Sequence, residues 1–379
     1  MDANFKNINT EQWKYTNVNQ FKNFEFKCIE NNSIINNPDY DISISNNSFS
    51  LSKKLNKNIV VYSLEESIKK NKHNINELIK NEKNDYKNPF IDLNNSNNGV
   101  LIHIKYNSII NNPIKIKFDC KKQLEKKFTN NKIFILIDDN VDATIILDEH
   151  SSEICYLNSL LRFIIKKNSI INFIHYSQKS HLTQIFNFLC SIKENSTLNL
   201  FPVDIKGKLI KKNYYISLMD VNSTCNYDSL NLLSSSNHID NYILINHMKN
   251  NTYSSVNQKS ILLNKSKSIF YAKAIIQKNS TNSEVVQNNN NLILSDTAKV
   301  HSNPQLEIYN NDVKCAHGST TGTLDDEILF YMRSRGIKKS DCKKIILHGF
   351  TNQIINKINN SNIKNTINDN VYEWLKNVS

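Results

Sequence analysis

The stretch NSIINFIHYSQKSHLTQIFNFLCSIKENSTLNLFPVDIKGKLIKKNYYISLMDVNSTCNY, residues 168–227, says the same short phrase three times. NSIINF starts at 168, NSTLNL at 195 and NSTCNY at 222, each 27 residues after the one before, and VDATIIL at 141 reads as an earlier copy. In each, a polar turn leads into alternating positions, Ile171/Phe173, Leu198/Leu200 and Cys225/Tyr227, whose side chains fall on one face of a strand. A period of about 20 to 50 residues built from short strands marks a solenoid. A parallel β-helix fits best, because each coil cannot bury its inner face alone and stacks on its neighbours to form one core. Asn tolerates the left-handed conformation at coil corners, so six glycines suffice for many turns. An antiparallel sandwich is the competing architecture, but its Asn-Gly hairpin signal occurs only at Asn98-Gly99.

Outward from the repeats, β-type runs such as VLIHIKY, IKIKFDC, KIFILIDD and YILINHM fill residues 96–318, the expected β-helix core. Residues 1–95 read as a small, irregular N-terminal α/β region with one helix over Ser63–Lys70, capped by Ser63 with Glu66 three residues on. Residues 319–379 form the expected C-terminal helical domain. There the period switches to 3.6 after Thr323, read as a cap, and Ile328, Leu329, Tyr331 and Met332 supply an apolar stripe until Gly336. A second helix is expected from a Ser340 cap, with Cys342, Ile345, Ile346, Gly349, Phe350 and Ile354 at helical spacing. The two read as a hairpin attached to the solenoid's end.

Composition narrows the function classes. The 379 residues carry a net charge of +12, but only three of 47 basic residues are arginine and the lysines are scattered. That pattern describes a solvated surface, not a nucleic-acid stripe. Seven widely spaced cysteines without a C-x-x-C pair argue against a disulfide framework and a zinc knuckle. No signal-peptide pattern or membrane-length apolar run is present, so a cytoplasmic protein without a membrane partner is expected. The P-loop, G-x-S-x-G and H-E-x-x-H patterns are absent, and no enzyme activity is expected. A solitary polysaccharide-active or ligand-binding β-helix is the alternative, but the repeats place Ile, Leu, Asn and Lys where such a groove needs acids and aromatics.

The chemistry candidates lie in a window of different texture. Asp312–Phe350 has no asparagine, four of the six glycines, and Arg333 and Arg335. In VKCAHG, Cys315 and His317 are two apart on a β run, which puts both side chains on one face, about 7 Å apart along the strand. A thiol and an imidazole, with Lys314 alongside to favour the thiolate, make half of a metal or sulfur site whose other ligands must come from elsewhere. A packed cysteine beside a hydrogen-bonded histidine is the competing reading. His175 and His181, His238 and His247, and Asp148-Glu149-His150 have no fixed ligand spacing and read mostly as corner or surface residues.

PQLEIYNNDVKCAHGSTTGTLDDEILFYMRSRGI, from Pro304 to Ile337, resembles the signature of the SufD-type scaffold subunits in the SufB/SufD family of the SUF iron–sulfur cluster assembly system. EQWKYT at 11–16, the region from Asp92, NNPIKIKF near Pro113, His247, Lys259 and NNNLILS from Asn289 follow in that family's order. The resemblance implies a right-handed parallel β-helix with a C-terminal helical domain, a SufB-like partner at the β-helix end, and a SufC-like ATPase on the C-terminal helices. A desulfurase system supplies sulfur indirectly. His317 and Cys315 would then lie at the scaffold interface as ligands of a nascent, shared iron–sulfur cluster, and Leu329, Arg333 and Arg335 on the ATPase-docking helices. A flavin on the assembled complex is left open. The helical segment that usually precedes WKYT is missing, and SIFYAKAII from Ser268 lacks the family's glycines, which suggests a less regular coil.

Overall fold

The computed structural model describes residues 11–21, 24–27, 39–45, 48–52, 55–69, 86–93, 99–119, 127–150, 154–178, 181–376 and 378. Strands alternate between two ten-stranded sheets. The first holds β1 (Glu25–Lys27), β4 (Ile59–Ser63), β5 (Val100–Ile104), β7 (Lys127–Ile137), β9 (Cys155–Ile165), β11 (Leu182–Ile192), β13 (Leu209–Leu218), β15 (His238–His247), β17 (Lys267–Ile276) and β19 (Lys299–Ile308). The second holds β2 (Ile42–Ser45), β3 (Ser48–Leu51), β6 (Ser108–Asp119), β8 (Val141–His150), β10 (Ile170–Gln178), β12 (Thr197–Ile205), β14 (Thr224–Leu233), β16 (Tyr253–Leu262), β18 (Ser283–Ile293) and β20 (Val313–Gly322). From β5 and β6 onward the coils stack in parallel, each strand from β7 to β18 lying between the strands two before and two after it. This is a β-solenoid of about seven turns.

Ile170, Thr197 and Thr224 stack directly, so the step there is the expected 27 residues. The copy at 141 is one residue out of register, because Ile170 pairs with Asp142 and Asn168 therefore stands over Asn140. Later coils absorb extra residues in their turns, with Thr224 opposite Tyr253 and Tyr253 opposite Glu284. The corners use asparagine as expected. Asn140, Asn168, Asn195, Asn222, Asn251 and Asn282 all have φ between 53° and 58°. Their side-chain amides form a ladder, Asn222 donating to Asn195 (2.8 Å) and Asn195 to Asn168 (3.1 Å). β17 pairs along its whole length with both neighbours, so the glycine-poor SIFYAKAII segment is a regular coil after all.

Apolar residues at alternate positions fill the lumen, among them Phe163, Phe173, Phe188, Leu200, Ile216 and Ile245. The N-terminal residues continue the two sheets, β2/β3 and β4/β5 being antiparallel additions to their starts. Helix α1 (Leu64–Lys69) carries the expected cap, Glu66 N–H donating to Ser63 Oγ at 3.1 Å. Residues 11–21 and helix α2 (Pro89–Asp92) lie across the outer face of the first sheet. Gln12 donates to Asn213 and Tyr215, Thr16 donates to Asp240, and Tyr15 stacks on His301 of β19.

Three C-terminal helices follow, α3 (Asp326–Ser334), α4 (Lys339–Ile355) and α5 (Ser361–Lys376), where a two-helix hairpin was expected. Asp325, not Thr323, caps α3, accepting from the backbone N–H groups of Glu327 and Ile328. Ser340 lies within α4, whose N-cap is Lys338. Nor do the helices hang from the solenoid's end. Leu347, Ile354, Ile355, Ile367, Val371, Trp374 and Leu375 pack onto Ile174, Tyr176, Phe201, Val203, Leu230, Leu232 and Ile261 on the outer face of the second sheet. Cys190, Cys225 and Cys342 are buried free thiols, whereas Cys155 is disulfide-bonded, a bond the wide cysteine spacing did not suggest; Cys28 and Cys120 lie outside the described residues.

Two stability predictions follow from this packing. Trp374→Ala should cost about 3 to 5 kcal/mol in denaturant unfolding, because a large side chain buried between helix and sheet is lost. His247 is buried, within 2.8 Å of Thr252 Oγ1 and Ser254 Oγ, and burial pushes its pKa down to about 4. The fold therefore favours the neutral ring. Its contribution of up to about 3 kcal/mol is complete above the ordinary histidine pKa of about 6.5 and disappears as pH falls toward 4. Unfolding free energies measured across that window should flatten in His247→Asn.

Candidate functional site at the open end of the solenoid

The stacking stops at β19 and β20. Among the described residues each pairs on one side only, β19 with β17 and β20 with β18, so two ten-residue strand edges finish side by side. Strand parity fixes what they present. Val285, Gln287 and Asn289 of β18 are buried in the lumen, and they stand in register with Cys315, His317 and Ser319 of β20. Odd-numbered side chains of β20 therefore face the lumen mouth, as do the even-numbered ones of β19 opposite; Ser319 donates to Ser302 across the mouth at 2.8 Å.

Cys315 and His317 thus share a face, as their spacing predicts. Cys315 is half-buried against Leu306 and Val313, over Ala274, Ile276 and Val285, while His317 is exposed. The thiol's environment differs from the sequence expectation. Burial raises its pKa, and Lys314, which was to favour the thiolate, points to the opposite face and pairs with Glu284 at 3.0 Å. Among the described residues no group of three or more His, Cys, Asp or Glu is placed to hold a metal ion, so the two residues remain half of a ligand set.

The other candidates disperse. His181 is in an exposed turn, and His150's side chain lies outside what is described. His175 is fully buried in the lumen, its Nε2 3.2 Å from Glu149 Oε2, and His247 is a buried corner residue; a surface reading is wrong for both. His238 lies on the outer face of the first sheet near Thr16, with burial pushing its pKa down to about 4. Asp148 accepts a hydrogen bond from Tyr40. On α3, Leu329 is only 8% exposed, while its neighbours Phe330 (75%) and Tyr331 (59%) are open to solvent. Arg335 lies over the Tyr331 ring at 5.2 Å, and Arg333 is exposed. Reasoning from spacing missed Ser302 and Ser319 at the mouth. Strand register places them, Ser319 over Asn289 and Ser302 over Phe270.

A raised thiol pKa has a measurable sign. Cys315 should be protonated at pH 7 and react slowly with iodoacetamide, the rate still climbing as pH passes the ordinary thiol range near 8.5 instead of levelling there. Peptide mapping of the alkylated full chain reads this directly, and rapid labelling at pH 7 would contradict the environment described.

The family described as "SUF system FeS cluster assembly, SufBD core domain" matches residues 120–350. The chain is 31% identical over 176 residues to the iron-sulfur cluster assembly protein SufD of Escherichia coli, covering 46% of this chain and 42% of that one. It is 26% identical over 167 residues to a SufBD family protein of Synechocystis, covering 44% and 36%. It is also 25% identical over 282 residues to the SufD of Plasmodium berghei, covering 71% and 21%. The chain therefore spans less than half the length of these relatives. Neither the family description nor these names points to a flavin. With a family match running from before β7 through most of α4, over a parallel solenoid, the chain belongs to the SufBD family of SUF iron–sulfur cluster assembly proteins.

Proposed function

We propose that the chain is a non-catalytic scaffold subunit that pairs end to end with a SufB-like subunit and binds a SufC-like ATPase through its C-terminal helices. The observation carrying this reading is the lumen mouth: two ten-residue edges, unpaired among the described residues, one of which carries Cys315 and His317. Long, exposed strand edges invite a further strand from another chain. A partner that continued both sheets would satisfy the free backbone groups and bring its own ligands over Cys315 and His317. The nascent cluster is the cargo of this junction. His317 would offer an imidazole lone pair, and Cys315 a thiol that loses its proton when iron binds.

The raised thiol pKa supports a division of roles. A protonated, half-buried Cys315 is a poor free nucleophile, which suits a residue that acts once iron arrives. For the ATPase, α3 offers Ile328, Phe330 and Tyr331 as exposed apolar side chains with Arg333 beside them. Those residues now replace Leu329 as the apolar part of the docking surface.

His317→Ala should leave folding and partner recovery intact and reduce cluster formation about 10-fold or more, with Cys315→Ser milder. Copurification with a SufB-like and a SufC-like subunit, melting temperature and cluster reconstitution are measured on the same variants. A variant that melts early yet assembles clusters normally would reassign His317 to structure. Phe330→Ala should weaken ATPase binding without lowering the melting temperature. Truncation before Leu324 cannot serve as a clean docking test, since it would uncover Phe201, Val203, Leu230 and Leu232.

A further inference from the structure

The apolar lumen has a second texture along one flank. Following strand register from coil to coil, Glu149, Ser177, Asp204, Asn231, Ser260, Asn291 and Thr321 stack in one column of the second sheet, and every member is polar. The next lumen-facing column runs His175, Pro202, Ser229, Gln258, Asn289 and Ser319. Facing them from the first sheet are Gln184, Lys212, Asn241, Ser268 and Ser302. All except Thr321, Ser319 and Ser302 at the mouth, and Pro202, are buried polar side chains.

The two ends of this flank differ. Deep inside it is charged. Lys212 donates to Asp204 at 2.6 and 2.7 Å, Gln184 donates to Glu149 at 2.9 Å, and His175 lies 3.2 Å from Glu149. Toward the mouth it is neutral and only partly paired. Asn241 donates to Gln258, Asn231 to Ser260 and Asn289 to Ser302, yet Asn231 Oδ1, Asn241 Oδ1, Gln258 Nε2, Gln287 Oε1, Asn289 Oδ1 and Asn291 Oδ1 have no protein partner, and neither does Ser177 Oγ, deeper between Glu149 and Asp204. Buried polar atoms in folded proteins nearly always find a partner, and an unpaired one costs about 1 to 3 kcal/mol. Seven such atoms lie along the flank, three on β18 and one each on β16, β15, β14 and β10, and coils about 4.8 Å apart are close enough for bridging waters to satisfy two groups at once.

We propose that this flank holds a file of ordered water, running from the mouth beside His317 and Ser319 to the Asp204–Lys212 pair and on to His175–Glu149, and that it conducts protons. Each hop breaks one O–H bond on a water or hydroxyl and forms one on its neighbour, so nothing is oxidised or reduced. A proton taken in at the mouth comes to rest on the Glu149 carboxylate, since burial and Lys212 disfavour a charged His175 ring, and returns by the same route. The file would give the solenoid an internal proton store opening at its free end. The inference stands on the lumen alone, and its test uses the isolated chain, so its failure would leave partner pairing untouched.

The test is hydrogen exchange of side-chain amides in the full-length, 15N-labelled protein. In a hydrated file the Asn231 and Asn241 amide protons exchange without unfolding, and their protection factors should be at least about 100-fold below those of the Tyr214 and Ile216 backbone amides in the adjoining strand. Gln287→Leu/Asn289→Leu blocks the flank next to the mouth and should raise protection at Asn231 and Asn241, coils deeper, at least about 10-fold. Should the double variant fold poorly, Asn289→Leu alone carries the comparison. Equal protection of side-chain and strand amides in the unsubstituted protein would overturn the proposal, as would unchanged exchange in a folded blocked variant.

Discussion

Parallel stacking imposes one requirement on the whole molecule: each strand's backbone groups on one edge must be answered by the coil above. Within the coils the requirement is met by register alone, and side chains are free to specialise by face. The ends are where it becomes a problem. At the start, β3 and β4 are antiparallel strands of four and five residues, which leaves little edge to pair. At the finish, nothing comparable among the described residues closes β19 and β20. The asymmetry gives the molecule a direction, with chemistry collected at the end that is left open.

The same repeat that made the fold legible hid part of the site. Three copies spaced by 27 residues sufficed to read a solenoid, because polar corners and alternating apolar positions recur in register at Asn168, Asn195 and Asn222. Cys315 and His317 were legible from strand periodicity and from a segment whose texture differs from its surroundings. The thiol's protonation was not, since it depends on Leu306 and Val313 packing around it and on Lys314 facing away. The polar lumen flank escaped for another reason. Its members are about one coil apart, but the coil length drifts, as the Tyr253–Glu284 pairing shows, so a fixed period loses the column where registered strands keep it.

The helices were legible as helices and not as a layer. Their apolar stripe reads the same whether it docks on a partner or on the chain's own sheet. What decides is the outer face of the second sheet, where Phe201, Val203, Leu230 and Leu232 leave an apolar surface that α4 and α5 cover. Lys357 donates to Asp228 and Lys259 to Gln353 along that seam. Only α3, the short first helix, keeps a row of uncovered aromatic and aliphatic side chains.

The corner asparagines bear on chemical ageing. Asparagine followed by serine is prone to deamidation, because the backbone nitrogen of the next residue attacks the side-chain amide and closes a succinimide. Asn168-Ser169 has that sequence, yet the Ser169 N–H donates to Ser196 Oγ at 3.0 Å and the Asn168 side-chain oxygen accepts from Asn195. At Asn140 the attacking nitrogen, on Val141, donates to Ser169 Oγ at 3.0 Å. Ring closure requires the nitrogen to leave its bond and the amide to leave its ladder. A chain this rich in asparagine thereby holds these exposed corner amides in a geometry that slows their decay, and a solenoid that frays would lose that protection coil by coil.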